Sequence, residues 1–485
     1  MTGAAWMVLF KFADRGIGVV SMLILARLLV PADFGLIALA TAMIGILEVL
    51  GAFGFDMALI QNRDAARQHY DTAWTFSVLF YASCGALLLL LAYPVARFYH
   101  EPRLVAVLAT LALGSVLQGF ENVGIVTFRK EMQFGRDFQF LFCKRLAGFA
   151  VTVALALLWR DYWALVVGIV ATKAAGVALS YALQEYRPRF SLAARRELFN
   201  FSAWLLINNI IYFTAHRAAD FIIGKTSGAH ALGVFSVANE IASLPTSELA
   251  APINRAVFPG YAKLSSEVDI LREQYLRVFG LLTYCAFAPA VGIALVARPA
   301  VEVFLGEKWM EAVPLVQIIA FNAMLMTLQT NMGSLFLARG QPRILTLLAG
   351  LHTLLLVPLL LWASLSYGAA GAASALLAAS VIMLPVVYAV LIAQLKLTVR
   401  QLASRMWRPA LSAAVMAVSI HAYQTVLSAS LAARLPLLDL AGSVIVGGCV
   451  FVAASYALWI VAQCPPGPEA AALRWLRATT SLREG

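Results

Sequence analysis

Residues 24–40 read ILARLLVPADFGLIALA, and residues 222–238 read IIGKTSGAHALGVFSVA. At an offset of 198 residues Arg27 falls on Lys225, Gly35 on Gly233 and Ala40 on Ala238; further on, Asp56 falls on Asn254. Each stretch is a helix end, a short external turn and the start of the next helix. The copies lie six helices apart. Six is even, so both share one orientation in the membrane, which describes two parallel repeats related by an axis along the membrane normal. Chance similarity between two apolar hairpins is the competing reading.

The rest of the chain sets these hairpins in a bilayer. Of its 485 residues 62% are hydrophobic and 13% charged, whereas soluble domains run nearer half apolar and a quarter charged. A spanning helix needs about 20 apolar residues. Fourteen such runs fall near 4–29, 33–59, 72–97, 104–128, 139–158, 162–186, 198–223, 230–258, 276–301, 313–337, 344–366, 371–395, 410–432 and 439–462. The fold class expected is therefore an all-α polytopic membrane protein, with twelve helices as the alternative count. No cleavable signal peptide is expected, because MTGAAWMVLF lacks a basic n-region and runs into a full-length span.

The net charge of +11 reads as topology, not as nucleic-acid binding, because the basic residues fall between apolar runs. With the N-terminus inside, the cytoplasmic segments carry 21 of the 36 Lys and Arg and the external turns carry eight. An even helix count with both termini cytoplasmic follows. No loop exceeds roughly twenty residues, which disfavours a membrane glycosyltransferase, polymerase or ligase. A nucleotide-binding G-x-x-x-x-G-K-[ST] is absent, as are G-x-S-x-G, H-E-x-x-H and Cys/His zinc spacings. An enzyme is not expected, nor a cofactor or metal. Cys84, Cys143, Cys285, Cys449 and Cys464 form no CxxC pair, and four of them sit inside apolar runs.

The first hairpin resembles the opening hairpin of the polysaccharide transporter (Wzx-like oligosaccharide flippase) family, within the multidrug/oligosaccharidyl-lipid/polysaccharide exporter superfamily. HRAADFIIGKTSGAHALGVFSVA (216–238), PGYAKLSSEVDILREQYLRVF (259–279) and FLGEKWMEAVPLVQIIA (304–320) are similar to it too. The resemblance implies an N-terminal six-helix lobe (1–190), a second (191–395), and two additional helices with a cytoplasmic tail (396–485). It implies a central cavity, alternating access, and an undecaprenyl-diphosphate-linked oligosaccharide as substrate, used for O-antigen or exopolysaccharide. The implied setting is the bacterial inner membrane, with membrane lipids and possible polymerase and chain-length machinery as partners. A peptidoglycan lipid-precursor flippase and a drug or cation antiporter of the same superfamily are the alternatives. The basic segment 187–200 becomes a partly amphipathic linker between lobes.

Charges inside the spans are the candidate site. A lone ionised side chain at mid-bilayer costs about 2.5–3.5 kcal/mol on insertion scales, so it faces a partner or a wet cavity. A diphosphate crossing that region calls for cations along its path. Lys11, Asp14, Arg15 and Gly18 share one face of the first helix by their spacing. Either that face lines a cavity, or Lys11 pairs with Asp14 and Arg15 bonds to a neighbouring helix. Lys173 is too deep in helix 6 to snorkel easily; cavity lining competes with pairing to an acid such as Glu48. Arg217 and Asp220, three apart, are placed to bond each other. Lys144, Arg145 and Arg255 lie near the cytoplasmic face and could snorkel. The substrate candidates are thus Lys11, Arg15, Lys173, Arg217 and Arg255. The coupling candidates are Asp14, Glu48, Glu240 and Glu248, since a protonatable carboxylate facing a cavity is what proton antiport requires. Glu121 is a further buried acid. His352 and His421 stand alone and read as core residues. Pro245, Pro252 and Pro289 are expected to kink helices 8 and 9. The run AAGAASALLAAS (369–380) reads as close helix packing.

Overall fold

The computed structural model describes residues 3–50, 59–60, 62, 65–194, 203–426, 436–465 and 467–470. Among these residues the structure is helical, with no strand. Its long helices are α1 (Gly3–Leu28), α2 (Pro31–Leu50), α3 (Arg67–Tyr99), α4 (Arg103–Gly119), α5 (Phe134–Trp159), α6 (Trp163–Leu183), α7 (Ala203–Thr226), α8 (Gly228–Lys263), α9 (Val268–Phe304) and α10 (Ala312–Ala338). Pro342–Leu395 follows, broken at Gly368 (φ 61°, ψ −143°) into α11 (342–367) and α12 (369–395). Only glycine adopts that backbone readily. Then come α13 (Val399–Val426) and α14 (Pro436–Val461).

These fourteen helical segments stand where the fourteen apolar runs fall. Several extend beyond them: α9 begins at Val268 and α13 at Val399, because hydropathy marks only the part of a helix immersed in hydrocarbon. Among the described residues eight helices, counting Pro342–Leu395 once, are long and apolar enough to cross a membrane. The pair Arg103–Gly119 and Val123–Lys130, bent by 61°, makes a ninth. Exposed Leu90, Leu158, Leu354 and Val452 fit a lipid-facing exterior. The echo's Asp56 and the basic residues Arg63, Arg195, Arg196, Arg434, Arg474, Arg477 and Arg483 lie outside the described residues.

The chain divides into two compact units, Met1–Val234 and Phe235–Gly485. In the first, α3 packs along α4, α5 along α6, α4 along α6, α1 along α5, and α2 along α7. Lipid is as apolar as leucine, so close van der Waals contact, not hiding from water, holds such helices together. Small residues supply it. Gly148 on α5 faces Thr172 on α6, while Gly168 on α6 faces Thr152 on α5; a methyl at either glycine would strike the opposing threonine. Both hydroxyls donate to their own helix, Thr152 to the Gly148 carbonyl (2.7 Å) and Thr172 to that of Gly168 (2.8 Å). The hairpin glycines also meet: a Cβ on Gly35 would overlap the Ala229 carbonyl, and one on Gly233 would overlap that of Pro31. Ala229 is Pro31 shifted by the same 198 residues, so this contact is reciprocal under the echo's offset.

The described part of the basic segment, 187–194, is non-helical, with no amphipathic helix. Pro188 disfavours a helix at Arg187, and the start of α3 offers better partners. The Asp71 carboxylate accepts from the Tyr186 hydroxyl (2.5 Å) and the Arg189 N–H (2.7 Å). Thr75 accepts from the Ser191 N–H (2.9 Å). Burial, and then the bond to Asp71, push the Tyr186 hydroxyl up from its usual pKa. In the turn between α3 and α4, Arg103 bonds Glu101 (2.8 Å) and holds its carboxyl below the usual range.

In the second unit α9 packs on α10, α13 and α14, and α10 packs on Pro342–Leu395. Tyr261, Tyr275, Phe279 and Phe336 fill its largest described core, with the Tyr261 hydroxyl bonded to Asn331 Oδ1 (3.2 Å). The 369–380 run packs closely: Ala372, Ala373, Ala375, Ala379 and Ser380 are buried, and a Cβ on Gly371 would overlap the Ala363 carbonyl. Arg408, read from sequence as a cytoplasmic-loop charge, lies inside α13 with its side chain 4% exposed. It pairs there with Glu469, which also accepts from the Tyr284 hydroxyl of α9 (2.6 Å).

Candidate functional site

The first unit carries a line of paired charges across five helices or their ends. Arg145 on α5 holds Asp14 on α1 at 2.9 Å. Lys144, its neighbour, holds Glu121 at the end of α4 at 2.5 Å. Lys173 on α6 reaches Glu48 on α2 at 3.7 Å, and it also feels the charge of Lys144. Lys173 sits ten residues into α6, about 15 Å along it, roughly half the ~30 Å hydrocarbon core. None of the pairs is sealed: Lys144 and Glu121 are 23% and 19% exposed, Arg145 and Asp14 44% and 45%. Within a span an ionised group must meet a partner or water, since lipid would penalise it, and each of these has its partner.

Local structure explains the positions. Asn122, fully buried, ends α4 at the bend: its side chain accepts from the Gly124 N–H (2.9 Å) and donates to the Tyr186 carbonyl (2.6 Å). That bend presents Glu121 to α5. Trp6 and Phe10 of α1 meet Phe138 of α5, with ring centroids 5.0 and 6.4 Å apart. They set Asp14 opposite Arg145.

The sequence candidates separate on the structure. Asp14 pairs with Arg145, so the local Lys11–Asp14 pair is not what forms; Lys11 is exposed and Arg15 half-buried. Glu48 is the partner of Lys173. Arg217 bonds Asp220 at 2.8 Å. Arg255, Glu240 and Glu248 belong to α8 in the second unit, with Arg255 and Glu248 exposed and Glu240 half-buried. Lys144 and Glu121 were legible as intramembrane charges, but nothing in their spacing joined them. Glu469 gave no signal at all: its contact with Arg408 bridges 61 positions. Among the described residues no group of His, Cys, Asp and Glu is placed to hold a metal.

Comparison with known proteins shows what the whole chain is similar to. The family model described as "Polysaccharide biosynthesis protein" matches residues 24–314. The chain is 26% identical to the lipopolysaccharide biosynthesis protein WzxC of Escherichia coli over 84% of each chain. It is 27% identical to the succinoglycan biosynthesis transport protein ExoT of Rhizobium meliloti over 66% of each. To the teichuronic acid biosynthesis protein TuaB of Bacillus subtilis it is 24% identical, over 70% of this chain and 71% of that one. Among solved structures, the lipid II flippase MurJ in an inward closed conformation superposes with a TM-score of 0.76 at 10% identity, covering 93% of this chain and 99% of that one. An inward-facing multidrug resistance MATE family transporter gives 0.60 at 14% identity, over 82% and 99%. At those identities the likeness is one of fold.

Proposed function

Because the chain belongs to the polysaccharide biosynthesis protein family, we propose that it is the flippase that moves an undecaprenyl-diphosphate-linked oligosaccharide across the bacterial inner membrane for O-antigen or exopolysaccharide assembly. The observation that carries the reading is that its relatives are named for the making or transport of lipopolysaccharide, succinoglycan and teichuronic acid. Those polymers differ, and a transporter that grips a lipid-diphosphate carrier would need few contacts with the sugars themselves. Lys11, Arg15, Lys173, Arg217 and Arg255 are the proposed phosphate-facing cations, with Asp14, Glu48, Glu240 and Glu248 as acids that could couple transport to protons. Charge assistance makes Lys and Arg the strong partners of phosphate oxygens. Cations and acids mixed in this way suit an anionic cargo better than the acid-dominated site a cationic drug needs.

Two six-helix lobes (1–190 and 191–395) and two further helices (396–485), with both termini cytoplasmic, remain part of the proposal. So do contacts with a polymerase and chain-length machinery. The test is complementation. In a strain lacking its own oligosaccharide flippase, expression of the chain restores surface polymer and clears the lipid-linked precursor from the cytoplasmic leaflet. A well-expressed chain that leaves the precursor on that leaflet, across strains making several different glycans, overturns the reading.

A further inference from the structure

Three glycines sit against Arg145, Lys173 and Lys144, the cations of the three pairs described above. A Cβ on Gly18 of α1 would lie 3.3 Å from Arg145 Nη2, and one on Gly114 of α4 would lie 3.5 Å from Lys173 Cδ. A Cβ on Gly176 of α6 would lie 2.7 Å from Lys144 Nζ and 2.8 Å from Glu121 Oε2. Each cation therefore has space cleared for it on a neighbouring helix, and each already has a carboxylate partner. Three positive and three negative charges cancel, which keeps these pairs neutral when nothing is bound. Two of the three pairs stay open by a fifth to nearly a half, so a ligand can reach them without first unpacking the helices.

We propose that Asp14, Glu48 and Glu121 are built-in competitors of the substrate: a phosphoanion binds Arg145, Lys173 and Lys144 by displacing these carboxylates, which return to the cations as it leaves. This rests on the flippase reading and adds to it the residues Lys144 and Arg145, and a role for the acids that needs no ion gradient. The exchange solves a problem of affinity. Three cations without counter-ions would hold a diphosphate too long for turnover, and would cost charge desolvation when empty. With counter-ions, binding swaps one set of ion pairs for another and the net grip is moderate. The glycines let each lysine or arginine swing between carboxylate and phosphate without striking a side chain. Glu48 stands farthest from its cation, so Lys173 is the first to be captured.

The sign of one effect separates this from ordinary structural pairing. The probe is inorganic pyrophosphate, titrated into the purified full-length protein in nanodiscs. Glu121→Gln and Glu48→Gln, by removing a competitor, each tighten pyrophosphate binding by roughly fivefold to tenfold, and each slows polymer export in cells. Lys144→Gln weakens binding, and adding Glu121→Gln to it restores nothing. If Glu121→Gln fails to accumulate, Glu48→Gln, whose pair is longer, carries the measurement. Acid variants that accumulate normally yet bind pyrophosphate no tighter than wild type overturn the proposal, as does a wild type and an acid variant that both fail to bind it. Such a failure is distinguishable from that of the flippase reading, which stands so long as wild type still restores polymer in the complementation strain.

Discussion

Lys173 and Glu48 face each other from α6 and α2 at 3.7 Å, and pairing alone would explain why neither is lost to the lipid. Export distinguishes a pair from a binding group. If Lys173 touches phosphate, Lys173→Ala and the double change Lys173→Gln with Glu48→Gln both lower polymer export at least about tenfold, some 1.4 kcal/mol on the transport barrier. Arg15→Ala is expected to do the same. Membrane abundance on immunoblots should stay near normal in each case; loss of the protein instead, or rescue by the double change, would make the role structural. Glu469 makes the opposite case. It and Arg408 are 8% and 4% exposed, so Glu469→Ala leaves a buried guanidinium without its acid and costs about 3–5 kcal/mol. Thermal unfolding in detergent should show a clear drop in midpoint, most of it recovered when Arg408→Met is added. The sequence exposed Lys173 and its partner because two opposite charges in different spans must find each other. It hid Asp14–Arg145, since Lys11 stood nearer along the chain, and it hid Glu469 because a tail glutamate looks like any solvated one.

At the scale of helices, what the sequence left open was contact and not existence. Apolar runs locate segments because hydrocarbon tolerates little else, so helix centres were readable and helix ends were not. The start of α13 lies at Val399, well ahead of the apolar run. Which face meets which neighbour depends on where backbones can close up, and glycine alone does not say. The hairpins were the exception, because Gly35 and Gly233 coincide under the internal offset and then prove to meet across the Pro31 and Ala229 carbonyls. Inside a helix, Gly→Ala ordinarily gains up to ~1 kcal/mol. Gly35→Ala and Gly233→Ala should reverse that sign, costing about 1–3 kcal/mol because the methyl has a carbonyl in its place. Gly260→Ala, with nothing within 4 Å, is the control and should be neutral or stabilising. Equal unfolding midpoints for Gly35→Ala and Gly260→Ala would remove the contact from any structural role.

For the molecule as a whole, orientation follows from charge and not from packing. Lys and Arg resist translocation, so short loops rich in them stay in the cytoplasm. That bias recurs loop after loop here, with 21 basic residues on one set of segments and eight on the other. Each alternation constrains the next, because a helix cannot cross twice in one direction. The aromatic side chains agree: Trp159, Tyr162 and Trp163 gather at one turn and Trp362 and Tyr367 at another, both on the side proposed to be external, where amphipathic rings prefer the interface. Reporter fusions near residues 65, 133, 192, 268, 341 and 402 should therefore read cytoplasmic, and those near 31, 101, 160, 227, 308 and 368 periplasmic. The fusion at 192 matters most. Residues 184–194 are strapped to the start of α3 through Asp71, Thr72 and Thr75, so this segment and the start of α3 must lie on one side of the membrane. A periplasmic signal at 192 together with a cytoplasmic one at 65 would contradict the strap and the two-lobe topology at once. A uniform inversion at all twelve sites would leave the fold intact and reverse only the direction in which the positive charges are read.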